Sequence, residues 1–238
     1  MRLTGLRAVK EAAEIEVMRR AAAVTDEALA ATVADGLCGR RERDVAWQLQ
    51  AEFHRLGAEG EAFTTIVAAG GHAAHAHAIP GERVIAPGEL VIIDTGARVD
   101  GYCSDITRTY AAGVEPPADL RRVYDTVLEA QLAGVDAVRA GASGRADVDV
   151  AARRVITAAG YGERFGHGTG HGVGLEVHEA PNLGRVRGDV LEAGMVCTVE
   201  PGVYLEGVAG VRIEDTVLVT SAGCERLTLL PKELQVVA

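Results

Sequence analysis

The chain has 238 residues, with 34 acidic against 24 basic side chains, a net charge of −10, and 48% hydrophobic and 24% charged residues. This is globular composition, long enough for one large domain or two small ones, and its acidic balance excludes a general nucleic-acid binder, which would show a basic stripe or a pI above about 9. Four well-separated cysteines without a CxxC pair, no signal-peptide core and no apolar run near the ~18 residues of a membrane span predict a soluble cytoplasmic protein engaging neither nucleic acid nor membrane.

From about Ala8 to Val33, charged residues alternate with Ala, Ile, Val and Met at helical spacing, which predicts a first helix. A second runs from Glu42 to about Arg55 and stops before Gly57. The texture then changes: TTIVAAG, ELVIIDTGARV and YCSDITRTYAAG are β-branched or alternating and read as strands. Pro116 and Pro117 open a third helix through about Val138, and a fourth covers roughly Ala146 to Ala159. Strands return in VGLEV, MVCTVE, GVYL and VRIEDTVLVT. This order predicts one α+β domain over residues 1–238, an antiparallel sheet with helices outside it.

Two segments carry paired carboxylates. In IDTGARVDGYCSDITRTY, Asp100-Gly101 is a strong two-residue hairpin turn. It pairs Val99 with Tyr102 and, counting outward, Asp94 with Thr107, so Asp94 and Asp105 become diagonal neighbours on one face, roughly 7–8 Å apart. Asp94 follows the apolar run Leu90-Val91-Ile92-Ile93, which argues for a buried strand end. In CTVEPGVYLEGVAGVRIEDTVLVT, a loop of three residues centred on Gly207 places Glu200 opposite Glu214, although Pro201 and Gly202 could bulge that register. Glu206 and Asp215 fall outside this scheme. Four converging carboxylates repel strongly, and Arg212 cannot neutralise them alone. Divalent cations can, and oxygen-rich sites suit hard or borderline ions.

Histidines add to the pattern. GHGTGHGVGLEVHEAP holds His167, His171 and His178 in a glycine-rich stretch that cannot be helical and reads as a loop entering a strand. One imidazole there suits a metal, and others suit hydrogen-bond donors or proton carriers. GGHAAHAHAIP adds His72, His75 and His77, of which one or two are expected to act.

These motifs resemble the pita-bread metallopeptidases, comprising methionine aminopeptidases, Xaa-Pro aminopeptidases and prolidases, over essentially the whole chain. The family's metal ligands fall on Asp94 in IDTG, Asp105 in SDITRT, His171 in GTGHGVG, Glu200 in VEPG and Glu214 in RIED. Its further histidines fall on His77 in AHAIP and His178 in EVHE, while His167 and Arg212 match residues of the Xaa-Pro branch. EPGVYL and GVRIEDTVLVT also look like that branch. Three features depart from the family: no separate N-terminal domain is expected, His72 and Ala76 stand where asparagine and proline are common, and Thr95 replaces an aromatic residue.

The resemblance implies a pseudo-twofold antiparallel sheet with helices outside and two divalent ions, manganese or cobalt before zinc or iron. Asp105 and Glu214 would bridge them, Asp94 would serve one ion, and His171 with Glu200 the other. It further implies Glu200 as general base, His178 and His77 as catalytic donors that also bind substrate, and His167 and Arg212 as substrate-positioning groups. The implied reaction is hydrolysis of the N-terminal bond of a short peptide, with Xaa-Pro bonds first, by an enzyme that could form a homodimer. A methionine aminopeptidase and an inactive peptide-binding relative are the alternatives.

Overall fold

The structure, a computed structural model, describes residues 3–238. Helices α1 (Leu3–Ala8), α2 (Ala12–Ala34) and α3 (Glu42–Arg55) come first. Strands β1 (Gly60–Glu61), β2 (Ile66–Ala69), β3 (Leu90–Thr95), β4 (Ala97–Val99), β5 (Tyr102–Cys103) and β6 (Ile106–Ala112) follow. Then come α4 (Ala118–Ala137), a π-helical turn over Gly144–Asp149, and α5 (Val150–Ala158). The chain closes with β7 (Gly170–Gly172), β8 (Glu179–Leu183), β9 (Val196–Val199), β10 (Gly202–Leu205), β11 (Ala209–Arg212), β12 (Asp215–Val219), β13 (Cys224–Arg226) and β14 (Val236–Val237). Among the described residues, no helix is long and apolar enough to cross a membrane.

The architecture is α+β. One sheet has the order β14-β6-β3-β2 and a larger one β13-β12-β9-β7-β8, with the ribbons β1-β4-β5 and β10-β11 beside them; every pairing except β14 with β6 is antiparallel. Helix α2 buries Met18, Ala21, Thr25, Ala28, Leu29 and Thr32, a stripe at helical spacing. Its Ala21, Ala28 and Leu29 share a core with Leu49 and Phe53 of α3 and Val67, Val91 and Ile93 of the first sheet. Helices α4 and α5 lie over a second core that draws on Leu90 and Ala111 of that sheet and on Val203, Val211 and Ile213.

Both predicted hairpin registers are present. Val99 pairs with Tyr102 and Asp94 with Thr107; Asp100 and Gly101 turn the chain with φ of 46° and 80°. Leu205 pairs with Ala209 around Gly207, whose φ is 69°, and Gly202 with Arg212. The same frame resumes at Val199 opposite Asp215, so Glu200 and Glu214 face each other in the gap between two ladders.

Three predicted elements differ. The helix expected from Ala8 to Val33 is broken at Val9, because Val9 bridges to Met195 and the Lys10 amide donates to the Gly194 carbonyl at 2.9 Å. Helix α2 restarts with a capping box between Glu11 and Glu14. VGLEV is not a strand: after the register shift at His171/Gly172 the chain leaves the sheet, and the Gly174 carbonyl accepts from the Cys103 amide at 2.8 Å. The fourth helix begins as a π turn rather than an α-helix.

Candidate metal centre

Asp94 lies at the end of β3 and Asp105 just before β6, as the hairpin register requires. His171 is on β7, while Glu200 and Glu214 occupy the gap between the ladders. The fold brings all five to one cavity of about 370 Å³, whose wall also holds His77, His167, His178 and Arg212. His72 and His75 are not on that wall. His72 turns away to Glu42, placing Nδ1 2.8 Å from Oε2 of that buried carboxylate.

His171 Nε2 lies 3.3 Å from Glu200 Oε1 and 3.7 Å from Asp105 Oδ2. Asp105, His171 and Glu214 each offer a ligand atom within 4.8 Å of the other two. The Nδ1 of His171 lies 3.1 Å from the Gly172 carbonyl oxygen, to which it can only donate. That bond fixes the tautomer and leaves a lone pair on Nε2, facing the carboxylates, as a metal-ligating imidazole requires.

Electrostatics sharpen the case. Burial, followed by the charges of Glu214, Asp94 and Glu200, holds Asp105 well above the usual carboxylate range. Burial, with Glu200 and Asp94 beside it, does the same to Glu214. Glu200 is raised as well, chiefly by burial, with Asp94 adding to the effect. Arg212, the one arginine on the cavity wall among the described residues, donates to Asp94 Oδ2 at 2.6 Å, to the Tyr204 hydroxyl at 2.8 Å, to Thr107 Oγ1 at 3.1 Å and to the Ala76 carbonyl at 3.3 Å. Asp94 Oδ1 and Glu214 Oε1 are buried without any partner among the described residues. Orphaned carboxylate oxygens at that depth are costly, so this donor set fits divalent cations.

Several supporting groups carried no sequence signal of their own. Thr107 accepts from Arg212 and donates to Glu214 Oε2 at 2.7 Å. Thr198 accepts from the His171 amide at 3.1 Å and donates to Glu200 Oε1 at 3.3 Å. Tyr204 joins Arg212 to His167 Nε2 at 2.8 Å, and His167 Nδ1 lies 2.7 Å from the Gly168 carbonyl. Both ring nitrogens of His167 are therefore engaged, so it meets the cavity with its ring rather than with a free donor. Hairpin register alone exposes Thr107 as the face partner of Asp94; nothing local singles out Thr198 or Tyr204.

His178 packs its ring 4.2 Å from that of His171. Burial, then neighbouring His171, lowers its pKa and keeps the imidazole neutral. His77 completes the wall, with Phe63, Ile66 and Val177 supplying the apolar part.

Residues 16–221 match the family model of metallopeptidase family M24. The chain is 43% identical over 229 residues to the Xaa-Pro dipeptidase of Pyrococcus furiosus, an alignment covering 96% of this chain and 65% of that protein. Among solved structures, the Xaa-Pro dipeptidase from Bacillus anthracis superposes with a TM-score of 0.96 at 46% identity, covering 99% of this chain and 66% of that one. The X-Pro aminopeptidase from Thermotoga maritima gives 0.95 at 41% identity, with the same coverage. The chain thus spans about 65% of the length of such curated relatives.

Proposed function

Since the chain belongs to metallopeptidase family M24 and has its pita-bread fold, we propose that it is a dinuclear metal-dependent peptidase that cleaves the N-terminal bond of short peptides, with Xaa-Pro bonds preferred. The observation that carries this reading is the convergence of four carboxylates and His171 on one cavity, where the described residues include a single arginine and leave two carboxylate oxygens unpartnered. The names of the relatives supply the Xaa-Pro preference.

Asp94, Asp105, His171, Glu200 and Glu214 would hold the ions. Divalent ions there supply Lewis acidity and make water a nucleophile at neutral pH. Manganese or cobalt is our choice of metal. The chain's own residues do the rest. Thr198 and His171 both approach Oε1 of Glu200, so Oε2 is the atom we assign to receive the proton of the attacking water. Neutral His178 donates an N–H toward the substrate carbonyl oxygen as negative charge develops there, and His77 serves the scissile nitrogen. Arg212 orients Asp94 and, through Tyr204, fixes His167 as one wall of the peptide channel. All four cysteines are free, which supports a reducing, cytoplasmic setting.

The test is to strip the protein with chelator, restore manganese or cobalt, and assay Ala-Pro, Ala-Pro-Ala and Met-Ala-Ser in parallel. Metal-dependent cleavage of a proline peptide that is lost in Glu200→Gln is the expected result. Cleavage of the methionine peptide alone would move the specificity, and turnover that survives Glu200→Gln would remove that residue from its role.

A further inference from the structure

The segment preceding α5 is wound as a π-helix, in which the Val150 amide reaches back to the Arg145 carbonyl. Such turns are rare and concentrate at functional sites. Here the turn delivers Asp149, whose side chain is almost wholly buried, to a position one α-helical turn before Arg153. The two form a fork-to-fork pair: Arg153 Nε lies 2.9 Å from Asp149 Oδ2, and an Nη2 donor lies 2.9 Å from Oδ1.

The pair does not end there. Arg153 uses two further donors on the loop that leads into β7, reaching the Phe165 carbonyl at 2.9 Å and the His167 carbonyl at 2.7 Å. Its guanidinium also covers the Phe165 ring at 4.0 Å, and that ring meets His167 edge-on at 5.0 Å. From the other side, Asp149 Oδ1 accepts from the Thr169 hydroxyl at 2.9 Å. The Thr169 carbonyl in turn receives the Glu200 amide at 2.7 Å. One ion pair at the start of a helix therefore grips the backbone at residues 165 and 167 and the side chain of Thr169, immediately before His171, and touches the strand end that carries Glu200 through one further bond.

We propose that Asp149 and Arg153 are a positioning pair for the metal centre, setting the loop of residues 165–169 so that His167, His171 and Glu200 face the cavity together. Neither residue touches the cavity, so neither is catalytic. The inference rests on reading that cavity as a metal centre. An ordinary helix-surface pair at this spacing would hold only itself; this one uses four guanidinium hydrogen bonds, two of them to a loop it does not belong to. Lysine cannot reproduce that fork.

The test uses the full chain as wild type, Arg153→Met, Arg153→Lys and Asp149→Asn. Manganese affinity is measured by calorimetric titration, foldedness by circular dichroism, and the His167 ring state by 15N NMR in the metal-free protein. Removing outer partners of metal ligands typically costs about 10–100-fold in affinity. Arg153→Met is expected to lose that much while folded, with Arg153→Lys intermediate in affinity though close to wild type in melting temperature. The His167 Nε2 resonance should shift as its Tyr204 bond loosens. Manganese affinity within about threefold of wild type in folded Arg153→Met, with unmoved His167 resonances, would overturn the proposal. If Arg153→Met does not fold, Arg153→Lys and Asp149→Asn decide by the same criteria. A wild type that binds no manganese would instead sink the functional reading, and the His167 resonances would still decide whether the pair positions the loop.

Discussion

The hydroxyl of Thr107 stands 2.7 Å from Oε2 of Glu214, a bond between two residues 107 positions apart that joins the first carboxylate hairpin to the second. The backbone repeats the link, since the Glu214 amide donates to the Thr107 carbonyl at 3.0 Å. Thr107→Val keeps the shape and removes the donor, leaving Glu214 with both oxygens unpaired and Arg212 short of an acceptor. Manganese titration should show affinity reduced by about 10–100-fold, the usual effect of losing an outer partner of a ligand. Affinity equal to wild type would show that the hydroxyl serves packing alone.

Arg212→Met should have a cost that depends on the metal. Without ions, it strips the largely buried Asp94 carboxylate of its one cationic partner among the described residues and should destabilise the fold by about 3–5 kcal/mol. With ions bound, Asp94 has another positive partner, and the difference in melting temperature between variant and wild type should shrink. Parallel melts in chelator and in excess manganese measure both. A cost that is the same in both would mean that Arg212 and the ions do not share Asp94.

In the metal-free protein the raised pKa values of Asp105, Glu214 and Glu200 set the sign of a pH effect. Folding binds protons to these groups more tightly than the unfolded chain does. Their contribution is therefore most favourable when they are protonated and is lost as pH rises from about 4 through their folded pKa values. Burial lowers His167, His171 and His178, which pushes stability the other way up to about pH 6.5. Comparison with Glu214→Gln cancels the histidines: the wild-type melting temperature should fall against that variant as pH rises in chelator, and manganese should abolish the trend. Parallel curves in chelator would disprove it.

Gly170→Ala should damage the centre sterically. A Cβ at 170 would run into the backbone carbonyl of Thr198, whose hydroxyl holds both the His171 amide and Glu200. Overpacking of this kind costs about 1–3 kcal/mol. The expected signature is a lower melting temperature together with weakened manganese binding, both read from one sample. Unchanged metal affinity would show that β7 can shift without moving His171.

The hairpins were legible because turn chemistry and strand alternation fix register locally. Asp100-Gly101 was enough to set Asp94 opposite Thr107, and Gly207 enough to set Glu200 opposite Glu214. Resemblance supplied His171, which spacing alone left as one of three candidates. What stayed hidden is tertiary. The break at Val9 depends on Met195, the irregular path of VGLEV depends on Cys103, and the engagement of His167 Nε2 depends on Tyr204. None of those partners is near in sequence, and no local periodicity announces them.

The order of the proposed ligands along the chain carries its own consequence. Asp94 and Asp105 are made early, but His171, Glu200 and Glu214 lie beyond α4 and α5, with Glu214 in the final stretch before β12. A growing chain that has completed only the first hairpin holds two carboxylates and no imidazole from this set, too little to retain an ion against water. On the proposed peptidase reading, the ligand set is therefore complete only once Glu214 has been made and folded, so a copy stopped short of it would lack the groups needed to attack peptides.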